Sequence, residues 1–402
     1  MKRKWMDWTA RVRGMAAMLV LLLFALAGLF FARQNAAVPA PVQDSPEPAQ
    51  PTSADYAQAL LDAMTTREKI CQLLIVSPEA LLGGGDPVTE RSDALARALN
   101  RYPVGGLILS AGNFETRTQT VHLTRALQRG VEPPPLLCVD EEGGRVGRLM
   151  YTVGTTKLNS MFSYRDEGTD TAYANAVTLA RDLRACGFNT DFAPVADVWS
   201  NADNTVIGNR AYSDDYDEAA ELVAAAVRGF RDNGVVCCLK HFPGHGSTET
   251  DSHEDRAVVD KTLRALLQED LKPFASGIAA GADMVMVGHL TVPSLDTAPA
   301  SMSYRIVTGL LRQRLGFRGV VITDGLEMEA AGDLTDGEKA VRCLQAGADM
   351  LLELEDVPGA VAAVEQALAD GTLSQVRLDE SVLRVLTLKL EHNIIPVPVT
   401  VP

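Results

Sequence analysis

Val235-Val236-Cys237-Cys238-Leu239-Lys240-His241-Phe242-Pro243-Gly244-His245-Gly246 begins as five uninterrupted apolar residues and ends as a polar loop with two glycines. A strand with one solvated face alternates apolar and polar residues, whereas one that is apolar throughout is covered on both faces, as parallel strands under crossover helices are. The switch at Lys240 marks the carboxyl end of such a strand, where α/β folds gather their chemistry. His241, His245 and His253 are three of the six histidines in the chain, and Asp251 lies two residues before the last. A lone histidine at a strand end is commonly a hydrogen-bonded structural residue. Three together point to a site.

Working outward, the same continuous apolar pattern recurs at 73–76, 106–110, 136–139, 190–194, 284–287, 320–323 and 350–352. With 235–239 this makes eight predicted strands. Helical patterns with their own boundary signals lie between them. Thr65 and Glu68 form a capping box, Pro273 opens a helix that ends near Gly281, and Gly347 follows a helix over 337–346. Eight alternations predict an α/β fold, a (β/α)8 TIM-type barrel over 54–395 followed by a tail at 396–402. No glycine-rich dinucleotide fingerprint follows the first strand, which removes the doubly wound alternative.

The first 33 residues differ from the rest. Residues 14–32 are apolar or small without interruption, preceded by Lys2, Arg3, Lys4, Arg11 and Arg13 and followed by Arg33. At ~1.5 Å per residue this stretch approaches the roughly 30 Å hydrocarbon core of a bilayer. Its length favours an uncleaved signal anchor over a cleaved signal peptide, with the basic flank in the cytoplasm and the remainder outside. Residues 34–53 contain five prolines and read as an extended linker. The chain carries a net charge of −15, and because its first 33 residues hold six basic groups and one acid, the remainder is at −20. That balance argues against a nucleic-acid partner. The six cysteines sit in apolar runs and read as buried thiols, with no metal-ligand spacing among them.

Polar residues follow one strand after another: Asp140-Glu141-Glu142 the third, Asp197 the fourth, Lys240-His241 the fifth, His289 the sixth, Asp324 the seventh and Glu353 the eighth. In a barrel these share one face. Asp324 reads as a partly desolvated carboxylate able to act as a nucleophile, or as the cap of the next helix. Asp251 beside His253 can fix the imidazole tautomer and favour its protonated form, which suits a proton donor, or belong to an ordinary polar loop. Gly244 and Gly246 offer that loop a hinge. A metal held by His241, His245 and His253 is disfavoured because His-x3-His here runs through Pro243 and Gly244 and is not a helical face. The acids and arginines of Asp140–Arg148, with Asn209-Arg210, suit a ligand rich in hydroxyls. Salt bridging is the alternative for Arg145.

These segments together, Asp140 to Arg148, Phe192-Ala193-Pro194-Val195-Ala196-Asp197, Gly208-Asn209-Arg210, Lys240 to Gly246, Asp251-Ser252-His253 and Thr323-Asp324, resemble the β-N-acetylglucosaminidase (β-N-acetylhexosaminidase) branch of glycoside hydrolase family 3 over roughly 55–392. The resemblance implies a retaining exo-hydrolase for terminal N-acetylglucosamine that needs no cofactor. Asp324 matches the nucleophile, His253 the acid/base and Asp251 its partner. Asp140, Arg148, Arg210, Lys240 and His241 match residues that grip the terminal sugar. A histidine acid/base departs from the usual pair of carboxylates. An imidazole titrates near ~6.5 without burial, so it holds a transferable proton at neutral pH. Two local departures stand out: Glu141 where many relatives have Gln, which adds negative charge near the sugar site, and Gly325 where a second Asp is common. The short stretch after the barrel leads us to expect the single-domain type. Peptidoglycan fragments are the expected substrate. A phosphorylase, a β-glucosidase and a non-catalytic sugar-binding barrel stand as alternatives, and oligomeric state is left open.

Overall fold

The structure is a computed structural model that describes residues 52–248 and 257–396. The predicted anchor at 1–33, nearly all of the linker, Asp251, His253 and most of the tail lie outside them. Among the described residues no helix is long and apolar enough to cross a membrane.

Eight parallel strands close into a barrel. They are β1 (Leu74–Val76), β2 (Gly106–Ile108), β3 (Leu136–Val139), β4 (Thr190–Asp191), β5 (Val236–Phe242), β6 (Met284–Val287), β7 (Val320–Gly325) and β8 (Met350–Leu352). Each pairs with its neighbours in the chain, and β1 closes on β8 through Leu74↔Leu351 and Ile75↔Leu352. All eight predicted strands are present. Their side chains are almost entirely buried, as expected for strands enclosed by helices outside and by one another's side chains within.

Two strands differ from expectation in length. β4 is short because Pro194, with no N–H, cannot donate to a ladder. β5 runs past Leu239 through Lys240 and His241 to Phe242, with a register shift against β6 between Leu239 and Phe242. The polar pair is therefore part of the strand, held by its ladder.

The helices start and stop where their chemistry dictates. Thr335 and Glu338 form a reciprocal capping box at the start of Asp336–Ala346. Gly347, at φ +114°, ends that helix by donating its N–H to the Cys343 carbonyl. Tyr216–Asp232 is capped by Asp215 and buries Ala219, Leu222, Val223, Ala226 and Phe230, a stripe at helical spacing. The helix Leu263–Gln268 begins where the Thr262 side chain accepts the Ala265 N–H and caps it. All six cysteines are buried free thiols.

The end of the barrel opposite the strand termini is tied to the last helix, Gln375–Glu391. Asp349, just before β8, receives the Ser381 hydroxyl at 2.7 Å and the guanidinium groups of Arg312, Arg377 and Arg384. Burial opposes its ionisation, but the three arginines more than offset this and hold it below the usual carboxylate range. Lys389 is fully buried on the same helix. Its Nζ donates to Gln72 Oε1 at 2.8 Å. Burial pushes this amine down to about 7.

An unfolded lysine titrates near ~10.4, so between roughly pH 7 and 10 the unfolded chain binds the extra proton at this side chain and the contribution of Lys389 to stability rises with pH. Lys389→Met should remove that rise. Urea midpoints of the two proteins measured from pH 7 to 10 check this, and parallel curves would refute it.

Candidate active site

The carboxyl ends of the strands surround a pocket of about 310 Å3. It lies at the small end of the roughly 300–1,000 Å3 range of ligand sites, a size for one sugar ring rather than a length of glycan. Its wall includes Asp140, Arg148, Arg210, Lys240, His241 and Asp324. Six of the eight site residues expected from sequence thus meet in one cavity. The other two, Asp251 and His253, lie outside the described residues.

Lys240 organises one side. Its Nζ, with the side chain only 3% exposed, lies 2.6 Å from both Asp140 Oδ1 and Glu142 Oε1. Arg210 completes the cluster, with Nε and Nη2 each 2.8 Å from a Glu142 oxygen and Nη1 donating to the Val206 carbonyl. Burial penalises every charge here. For Glu142 the Arg210 and Lys240 cations more than offset it and depress the carboxyl, and for Lys240 the acids Asp140 and Glu142 likewise hold the proton on. The result is a fixed set of charges with known orientation. Arg148 differs, because its guanidinium makes no hydrogen bond or ion pair among the described residues and faces the cavity free.

His241 is oriented from behind. Its Nδ1 lies 2.7 Å from Asp197 Oδ2, and the same carboxylate accepts the backbone N–H groups of His241 at 3.1 Å and His245 at 2.7 Å. Burial raises the Asp197 carboxyl, but His241 and His245 outweigh it and keep it ionised. An ionised carboxylate only accepts, so Nδ1 carries the proton and Nε2 is left to meet a ligand. His245 is buried, with Nδ1 2.8 Å from the Thr248 hydroxyl, and burial pushes it below the ordinary imidazole value.

Asp324 comes from the penultimate position of β7. Its Oδ1 accepts the Gly325 N–H at 3.0 Å, so it is a strand residue rather than the cap of a helix. Burial works against the charge, but His241, His289, that N–H and Lys240 hold the carboxyl below its ordinary range. His289 does not reach the cavity. It is fully buried behind β7, with Nε2 2.8 Å from the Gly325 carbonyl and Nδ1 2.8 Å from the Ser301 hydroxyl. A carbonyl only accepts, so Nε2 carries its proton.

Some sequence readings change at this level. Glu141 does not bring charge to the pocket, since its buried carboxylate accepts the N–H groups of Arg148, Leu149 and Met150 at 2.6, 2.8 and 2.9 Å. Both oxygens are used as acceptors, which an amide could not match. Arg145 clamps carbonyls of Thr205 and Ile207 and is structural. Gly244 and Gly246 are packing positions rather than a hinge: a Cβ at 246 would fall 1.7 Å from the Val198 carbonyl oxygen, and one at 244 would fall 2.7 Å from Asp270 Cβ. Sequence reasoning placed Glu142, Asp197 and Glu353 on the active face without giving them a role, and it did not single out Glu327, which lies just beyond the end of β7 and lines the pocket. Among the described residues no group of His, Cys, Asp or Glu has metal-holding geometry.

Known proteins carry the same architecture. Beta-hexosaminidase A of Pseudoalteromonas piscicida is 33% identical over 373 residues, covering 83% of this chain and 62% of its own. The beta-hexosaminidase of Xanthomonas campestris pv. campestris is 39% identical over 290 residues, covering 70% of this chain and 85% of its own. Among solved structures, a glycoside hydrolase family 3 beta-N-acetylglucosaminidase from Paenibacillus superposes with a TM-score of 0.78 at 36% identity, over 85% of this chain and 65% of that one. The chain spans just under two thirds of the length of the Pseudoalteromonas and Paenibacillus relatives. The Glycosyl hydrolase family 3 N terminal domain matches residues 65–388, a span that holds all eight strands and every residue of the pocket, and the chain belongs to that family.

Proposed function

We propose that this barrel is a retaining exo-β-N-acetylhexosaminidase that removes terminal β-linked N-acetylglucosamine. The observation that carries the reading is an ionised carboxylate, Asp324, set in a pocket sized for one sugar among groups suited to hydroxyls. The relatives that bear the name beta-hexosaminidase support the choice of sugar.

In the first step Asp324 attacks the anomeric carbon while the bond to the leaving oxygen breaks and His253 donates its proton to that oxygen. Asp251 steadies the imidazolium. In the second step His253 takes a proton from water, the hydroxide attacks the anomeric carbon, and the bond to Asp324 breaks. Asp140, Lys240 and His241 accept from and donate to the sugar hydroxyls, and Arg148 and Arg210 supply further donors. Placing the sugar against a fixed carboxylate lowers the barrier chiefly through orientation.

Water is the acceptor in this reading. The apolar stretch at 14–32 supports work outside the cytoplasmic membrane, either tethered to it or released from it, and fragments of peptidoglycan are the N-acetylglucosamine source that fits such a location.

Asp324→Ala should lower kcat on an aryl N-acetylglucosaminide by about a thousandfold or more while N-acetylglucosamine still binds. Near-normal turnover would remove Asp324 as nucleophile. His253→Ala should cost roughly 10²–10⁴-fold on substrates with poor leaving groups and far less on activated aryl glycosides in the glycosylation step. Equal losses on the two classes, read from single-turnover rates, would count against the acid role. Phosphate should leave the product as free sugar, and sugar 1-phosphate in the product mixture would turn the reading toward a phosphorylase.

A further inference from the structure

Glu353 is a carboxyl in the pocket that the double displacement leaves without a task. It follows β8 directly and lines the cavity with Asp324 and Arg148. Its φ of +52° puts it in the left-handed region, shared by one other non-glycine among the described residues, Asn393. Such backbone is retained where the surrounding structure requires that direction of the chain, and it recurs at ligand sites. Among the described residues its side chain makes no hydrogen bond or ion pair.

The groups that face it explain its condition. Asp324 and Glu327 belong to β7 and the turn after it, Asp140 to the end of β3, and Glu142 to the hairpin that follows. The cations on the wall are Lys240 of β5, Arg210 of the loop after β4, and Arg148, with His241 and His245 beside them. Lys240 and Arg210 are already engaged by Asp140 and Glu142. Burial first, then the charges of Glu327, Asp140 and Asp324, push the Glu353 carboxyl up to about 8, with Arg148 opposing them. Gly325 takes part, because a Cβ there would fall 2.5 Å from Glu327 Oε1, so the glycine leaves room for the Glu327 carboxylate.

We propose that Glu353 is a specificity-determining residue of this pocket, a carboxylic acid that keeps its proton in the working enzyme and donates it as a hydrogen bond to an acceptor oxygen of the bound terminal sugar. The inference rests on the sugar-hydrolase reading above. The N-acetylhexosamine ring offers hydroxyl and acetamido oxygens as acceptors, and a neutral donor satisfies one without adding a further negative charge beside Asp324. Above neutral pH the proton is lost, the donor becomes a further anion beside Asp324, and binding weakens.

The test is calorimetric titration of N-acetylglucosamine into the full chain, E353Q and E353A between pH 6.5 and 9.5. Wild-type affinity should fall about tenfold from pH 7 to 9. E353Q, whose amide remains a neutral donor, should bind within a fewfold of wild type at pH 7 and keep that affinity to pH 9. E353A should bind about tenfold more weakly at both. A flat wild-type profile, an E353Q as weak as E353A, or an E353Q that retains the alkaline fall would each overturn the proposal. If E353A does not fold, the wild-type and E353Q profiles decide. A wild-type chain that neither binds N-acetylglucosamine nor hydrolyses its aryl glycoside sinks the sugar-hydrolase reading itself, whereas turnover with a flat binding profile sinks this inference alone.

Discussion

The site depends on one buried ammonium. Lys240 on β5 spans the width of β4 to hold Asp140, just past β3, and Glu142 in the following turn, and Arg210 locks Glu142 from the far side. Taking these charges out of water is costly, and the cost is offset only while each keeps its partners. The arrangement is therefore all-or-none: removing one member strands the others without solvent. What this secures is less stability than direction. The groups that would meet a sugar are oriented before it arrives, so binding spends little on ordering them.

Behind this front layer stands a second one that never touches the cavity or touches it only at the edge. Asp197 fixes the His241 ring, His289 holds the Gly325 carbonyl beside Asp324, and Glu141 gathers three N–H groups at the turn that presents Arg148. Each uses acceptor or donor capacity that backbone at a strand end leaves unsatisfied. The polar residues after the strands thus divide into those that face the ligand and those that hold the facing ones still.

The barrel was legible because its strands are continuous apolar runs, and β3, β6 and β8 match the expected bounds residue for residue. The misplaced limits have local causes, Pro194 in β4 and the strand character of Lys240 and His241 in β5. Asp324 was legible as a charge ending an apolar strand. The roles of its neighbours were not, since Asp140, Glu141 and Glu142 look alike in sequence. The two-residue period of extended chain held the answer: residues 140 and 142 share a face, and 141 turns to the other. No such rule reveals that Gly325 makes space for Glu327, which is a contact across a turn. The assignments of Asp251 and His253 rest on the sequence resemblance.

Closure of the barrel through β1 and β8 joins residues 74 and 351, almost the full length of the folded body. A chain that emerges N-terminus first, from the ribosome or through a membrane channel, cannot complete this ring until β8 is free, and the Asp349 cluster cannot form until the last helix follows. The pocket draws on both β3 and β8, so it exists only once the ring is whole. Sheet edges stay open in the meantime, and the waiting time is set by the rate at which the chain is delivered rather than by any local folding event. The same seam that completes the pocket thus makes activity a report that the entire body has arrived.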